Sequence, residues 1–234
     1  MGDKARRRRR SGRVAPLPGW DVDSAPLTPA QEIAAKREWS TSGLPKRVVG
    51  LLDDADALVR AWEGREGAPD DDPFIPANYA AVYRALRDLE PRKGFFLEWG
   101  SGVGVVTILA SFLGFDAYGI EWNPELVRQA RELAAKHGAG TTFAEGNFLP
   151  TWWEPPSDAH EEEIRSFQGG IDGYAGLELD LEDFDVVYVF PWPAEEMLLF
   201  DVFLKGGRES GRFVSYHDHG EVKVRTKHSR RRSP

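Results

Sequence analysis

The sequence predicts an α/β fold: a doubly wound, mostly parallel sheet in a three-layer sandwich, with a helical extension before it and an abbreviated edge after it. Three observations predict it. From Gly94 onward, short apolar or β-branched runs alternate with helical patterns, which implies parallel strands joined by right-handed crossovers. The first of these runs ends in a glycine-rich turn, Gly100-Ser101-Gly102-Val103-Gly104. The chain has 234 residues, 41% of them apolar and 12% aromatic, enough to bury the core of one large domain and too apolar for wholesale disorder.

Residues 1–45 are rich in Arg, Pro, Ser and Gly and read as a basic arm, with one short helix at Thr28–Trp39. Apolar residues from Val48 to Trp62 recur at spacings of three and four, which makes an amphipathic helix. A second stripe, Tyr79, Val82, Tyr83, Leu86 and Leu89, makes another that Pro91 stops. These helices form an expected cap over residues 46–93, and a single domain follows over 94–228, ending in a basic tail at 229–234.

Within that domain Phe95–Trp99 is a buried strand and Val103–Leu113 a helix closed by Gly114. Phe115–Ile120 is the second strand. Asn123-Pro124-Glu125 supplies a cap, a proline at the first helical position and an early acid, and Gly138 ends that helix. Thr141–Ala144 is the third strand and Phe184–Phe190 the fourth. Ala194–Leu204 is a helix, Gly211–His217 the fifth strand, and Glu221–Lys227 one extra strand at the edge. The stretch from Pro150 to Glu182, with Trp152, Trp153 and a Glu161-Glu162-Glu163 run, is either a lid or a solvated insertion.

Charge is unevenly spread. The net −8 combines +6 in residues 1–13, another +6 in 222–234, and −20 between them. Such a body repels a polyanion across its main face, so nucleic-acid contact is restricted to the tails. The chain has no cysteine, which excludes disulfides and thiolate metal sites. No apolar run approaches the ~20 residues of a spanning helix, and the N-terminal arginines lack an apolar stretch behind them, so a cytoplasmic protein without a membrane anchor is expected.

Ligands of doubly wound sheets bind beyond the carboxyl ends of the strands. There Gly100, Ser101, Gly102 and Gly104 let a ligand approach the backbone, but the spacing is not that of a dinucleotide loop, G-x-G-x-x-G. Glu98 just before the turn would repel a pyrophosphate and suits a ligand bearing ammonium and sulfonium charges. The stretch Leu97–Gly104 resembles the first motif of the class I, Rossmann-like S-adenosylmethionine-dependent methyltransferases. Further motifs come in that family's order.

The resemblance implies S-adenosylmethionine as cofactor. It assigns Glu121 to the ribose hydroxyls and Asn147 and Phe148 to the adenine, although the family more often has Asp where Asn147 stands. The fourth motif, Asp185–Pro193, lines the transfer site. Trp122 would pack beside the cofactor. Tyr79, Phe190, Pro191 and Trp192 are the expected substrate pocket. Phe190-Pro191-Trp192-Pro193 lacks the polar first residue of the enzymes that methylate amide or ring nitrogens. It partly resembles a segment of tRNA guanine-N7 methyltransferases, without the aspartate of that segment.

His217, at the end of the fifth strand, is the candidate base, and no metal is expected despite Asp218 and His219 beside it. The expected activity is methyl transfer to a small-molecule or protein acceptor. A nicotinamide-dependent oxidoreductase and a non-catalytic cofactor-binding module stand as alternatives, and RNA methylation is disfavoured by the acidic body.

Overall fold

The computed structural model describes residues 41–63, 75–89, 93–155, 166, 170–192, 194–217 and 220–228. The helix expected at Thr28–Trp39, both arginine runs, the Glu161–Glu163 run, Pro193, Asp218 and His219 lie outside them. The element order is α1 (Lys46–Glu63), α2 (Tyr79–Arg87), β1 (Phe95–Trp99), α3 (Val105–Phe112), β2 (Asp116–Glu121), α4 (Pro124–Lys136) and β3 (Thr141–Glu145). Then come β4 (Val186–Val189), α5 (Glu196–Gly206), β5 (Arg212–His217) and β6 (Glu221–Thr226).

Six strands form one sheet in the order β3-β2-β1-β4-β5-β6. All pairings are parallel except β5 with β6. This is the doubly wound α/β architecture that the alternation of patterns predicts, and the edge beyond β5 is a single reversed strand.

Side chains alternate across a strand, and that alternation divides the core. Phe96, Val186, Tyr188, Val214 and Tyr216 face α2 and α3 with Val82, Leu86 and Val106. Leu97, Trp99, Val187, Val189 and Phe213 face α5 with Leu199, Val202 and Phe203. Helix α1 sends Val48, Leu51, Leu52 and Ala55 into a cluster with Ile108, Leu109, Val127 and Ala130, so the helices expected as a cap pack in the same layer as α3 and α4.

Element ends are set by local chemistry. Asn78 caps α2, its Oδ1 accepting the Ala81 amide at 3.1 Å. Asn123 caps α4 through the Glu125 and Leu126 amides. Helix α3 starts at Val105 rather than the expected Val103, because its N-cap Gly104 is left-handed, at φ 76°. A Cβ there would stand 2.5 Å from the Phe143 ring and 2.9 Å from Ala130. Only glycine lets the loop close this tightly on α4.

The described part of the expected lid has two placements. Trp153, Tyr174, Leu177 and Leu181 are buried against the α5 face of the sheet. Ile171–Gly173 runs beside Asn147 at the rim, with Asn147 donating to the Ile171 carbonyl and Gly173 to the Asn147 carbonyl.

Candidate functional site

Strand order reverses its sense between β1 and β4: α3 follows β1 onto one face and α5 follows β4 onto the other. The region at the carboxyl ends of those strands, called the crevice below, is the place where ligands enter such sheets. The glycine loop stands on one wall. Its geometry is fixed by backbone bonds, Ser101 N–H to the Ile120 carbonyl at 3.0 Å and Gly104 N–H to the Ser101 carbonyl at 2.7 Å.

Glu121 joins the two loops that flank the crevice. One carboxylate oxygen accepts the Gly102 amide at 2.8 Å and the other the Asn123 amide at 3.0 Å. The side chain is buried, and the two amide donors satisfy its oxygens. Each carboxylate oxygen can accept more than one hydrogen bond, so a vicinal diol can join these amides.

Glu98 is placed differently from what its position suggested. It is buried, and its Oε2 points to α3, accepting the Thr107 amide at 2.8 Å and the Thr107 hydroxyl at 2.6 Å. The carboxylate therefore stitches β1 to the first turn of α3. Burial pushes its pKa up to about 8; the Thr107 bonds pull it down, and the charge of Glu121 adds to the rise.

Ser101 is buried, and among the described residues its Oγ has no hydrogen-bond partner. An added Cβ at Gly100 would meet only the Phe148 ring, at 3.8 Å, so the loop leaves room beside it. Phe148 itself lies flat on Trp99, with ring centroids 5.3 Å apart and planes at 14°. The Trp99 indole donates to the Tyr174 hydroxyl at 2.9 Å on the far face of the sheet. Trp122 is 47% exposed beside Glu121 at the rim. Asn147 turns its Oδ1 back to the Leu149 amide at 2.9 Å.

The residues expected at a substrate pocket converge only in part. Phe190 meets Tyr216 edge to face at 4.8 Å, and Tyr79 packs from α2 onto the same cluster. Pro191 and Trp192 are half-buried at the exit of β4. His217 belongs to the other face: its Nε2 is 2.9 Å from Ser215 Oγ and 3.2 Å from Glu196. Glu196 also binds Arg225 and accepts from Ser215. Among the described residues no cluster of three His, Cys, Asp or Glu side chains is placed to hold a metal ion.

The residues missed from the sequence are Thr107, Tyr174 and Tyr188. Tyr188 had a signal, being the one hydroxyl in the apolar run Phe184–Phe190. A depression of about 960 Å³, lined among others by Trp152, Asp180, Asp183, Arg208 and Lys227, opens near the amino ends of β4 and β5 and holds none of the expected site residues.

No family model matches the chain. Over 66 residues it is 39% identical to the ATP synthase C-subunit lysine N-methyltransferase of Rattus norvegicus and 38% identical to that of Homo sapiens. Those matches cover 28% of this chain and 31% and 28% of the relatives, so under a third of either relative is spanned. A solved RNA methyltransferase from Salinibacter ruber in complex with S-adenosyl-L-homocysteine is 19% identical, with TM-score 0.45, over 63% of this chain and 91% of that one. A putative S-adenosyl-L-methionine-dependent methyltransferase from Methanococcus maripaludis is 10% identical, with TM-score 0.44, over 77% and 68%. The chain is thus similar over 66 residues to lysine N-methyltransferases, and its glycine loop and Glu121 offer the backbone approach and the carboxylate that S-adenosylmethionine fits.

Proposed function

We propose that the protein is an S-adenosylmethionine-dependent methyltransferase whose acceptor is an amine on a protein, of the lysine type. The observation that carries the reading is the Glu121–Gly102 bond, which sets a diol-accepting carboxylate against an open glycine loop at the topological switch point. The shared 66-residue segment supports the lysine acceptor, because the relatives carrying it are lysine N-methyltransferases. The acidic body of the chain also favours a cationic protein side chain over a nucleic acid.

When bound, S-adenosylmethionine supplies a methyl group activated on a sulfonium. The chain's own work is positional. Gly100 and Gly102 would let the ligand come close to the backbone, Glu121 would hold the ribose, Phe148 and Trp122 would meet the adenine, and Tyr79, Phe190 and Trp192 would lie on the acceptor side. Holding a nucleophile ~3 Å from the methyl carbon in line with the breaking bond accounts for most of the rate in such a transfer.

The test is incubation with methyl-tritiated cofactor and cell extract, followed by separate nuclease and protease digestion. Label released only by protease and recovered as methylated lysine is the expected result. Label on nucleic acid, or tight calorimetric binding of NAD(H) in place of S-adenosylhomocysteine, would overturn the reading.

A further inference from the structure

The core under α2 and α3 contains a group that the cofactor assignments leave unused. Glu98 on β1 and Tyr188 on β4 are register partners across the switch point. On paired strands such residues share a face and stand about 4.8 Å apart at the backbone. Both are buried, and Tyr188 is only 1% exposed. Among the described residues the Tyr188 hydroxyl has no hydrogen-bond partner, and neither does the Ser101 hydroxyl nearer the glycine loop. Tyr79 from α2 and Tyr216 from β5 interact electrostatically with Tyr188, as does Glu98.

A buried hydroxyl left without a partner is costly, and native proteins rarely leave one without a reason. Here phenylalanine would fill the same space without the orphaned oxygen. The position argues for a ligand: Tyr188 is the penultimate residue of β4, in register with the buried Glu98 and packed among Phe96, Tyr216 and Tyr79. An acceptor oxygen, a carboxyl that can give up its proton to a bound cation and ring faces together suit an alkylammonium, which donates hydrogen bonds and binds to tyrosine faces. They do not suit an anion or a purely apolar group.

We propose that Tyr188, with Glu98 and Tyr79, forms the pocket that receives the alkylammonium end of the methyl acceptor. This rests on the methyltransferase reading and names the residues that would select an amine. The cofactor carries an ammonium of its own, so the experiment must separate the two sources.

The probe is n-butylammonium, titrated by NMR and calorimetry into protein saturated with S-adenosylhomocysteine, with n-butanol as the uncharged control. Expected are saturable binding of the amine, none of the alcohol, and a loss of at least about ten-fold in amine affinity for Tyr188→Phe, the worth of a hydrogen bond to a charged group. Affinity for S-adenosylhomocysteine should be unchanged in that variant. Its thermal stability should equal or exceed that of the parent protein, because the oxygen it removes has no partner.

Equal binding of butanol, or amine binding indifferent to Tyr188→Phe, overturns the pocket. So does a Tyr188→Phe protein with weakened S-adenosylhomocysteine binding, which would give the hydroxyl to the cofactor. Failure of the parent protein to bind S-adenosylhomocysteine is a separate result and sinks the methyltransferase reading itself.

Discussion

The carboxylate of Glu121 accepts the Gly102 amide at 2.8 Å and so couples the end of β2 to the glycine loop after β1. One side chain thus shapes the loop and, under the proposed function, would also accept from the ribose. Replacing it removes both functions. Glu121→Ala should cost about 1.5–3 kcal/mol of S-adenosylhomocysteine affinity, the worth of hydrogen bonds to a charged group. Glu121→Gln, which keeps one acceptor oxygen, should lose less. Calorimetric titration checks both, and unchanged affinity in a folded Glu121→Ala protein would remove the ribose assignment.

Gly104→Ala tests the loop from the other side. The left-handed backbone at φ 76° is strained for alanine, and the new Cβ would lie 2.5 Å from Phe143 and 2.9 Å from Ala130. Gly138 has a similar φ of 60° but open space around its missing Cβ. Backbone strain alone costs about 1 kcal/mol, and overpacking adds about 1–3 kcal/mol. Urea unfolding should therefore show Gly104→Ala destabilised by about 1–3 kcal/mol more than Gly138→Ala. Equal losses would mean that α4 gives way freely.

The order of elements could be read from the chain because its signals are local. Asn123-Pro124 starts a helix by capping chemistry, and Phe184–Phe190 reads as a buried strand by composition. The glycine turn could be found for the same reason. What the sequence concealed is which way each side chain faces and what meets it from far along the chain. Glu98 and Trp99 are neighbours, yet one binds Thr107 under α3 and the other binds Tyr174 on the opposite face. Thr107 gives no sign of its role, since any small residue fits a helix's first turn. His217 looked like a base because it ends β5, but the pleat turns it to Glu196 and Ser215, away from Tyr79 and Tyr188.

That placement gives a prediction for the β5 edge. Burial works to raise the Glu196 carboxyl, but bonds from Arg225 and Ser215 and the charge of His217 hold it below the usual carboxylate range. A depressed pKa contributes stability that is present above the unfolded value and lost as pH falls through the folded one. Glu196→Gln should therefore destabilise the protein by about 1–3 kcal/mol at neutral pH and by less near pH 3. Denaturant melts at the two pH values measure this. His217→Ala should lower stability while keeping the methyl-transfer rate within about three-fold, and a collapse of rate with stability intact would make His217 the base after all.

Glu98 behaves in the opposite sense. Burial raises its pKa from 4.5 to about 8, so between those values the folded protein holds a proton that the unfolded chain has lost. Its contribution to stability is complete below about pH 4.5 and declines as pH rises through about 8. Each tenfold difference in proton affinity between the folded and unfolded chains is worth about 1.36 kcal/mol in principle, and a decline of a few kcal/mol is expected. Glu98→Gln cannot titrate and can still accept the Thr107 amide, so its stability should change less between pH 5 and pH 8 than that of the parent. A cation bound beside Glu98 favours the charged form, so at pH 7 an ammonium ligand should expel a proton as it binds. Titration with n-butylammonium in buffers of different ionisation enthalpy reads that proton directly. Proton release in the parent protein and none in Glu98→Gln is the expected result, whereas equal release in both would separate Glu98 from the ligand's charge.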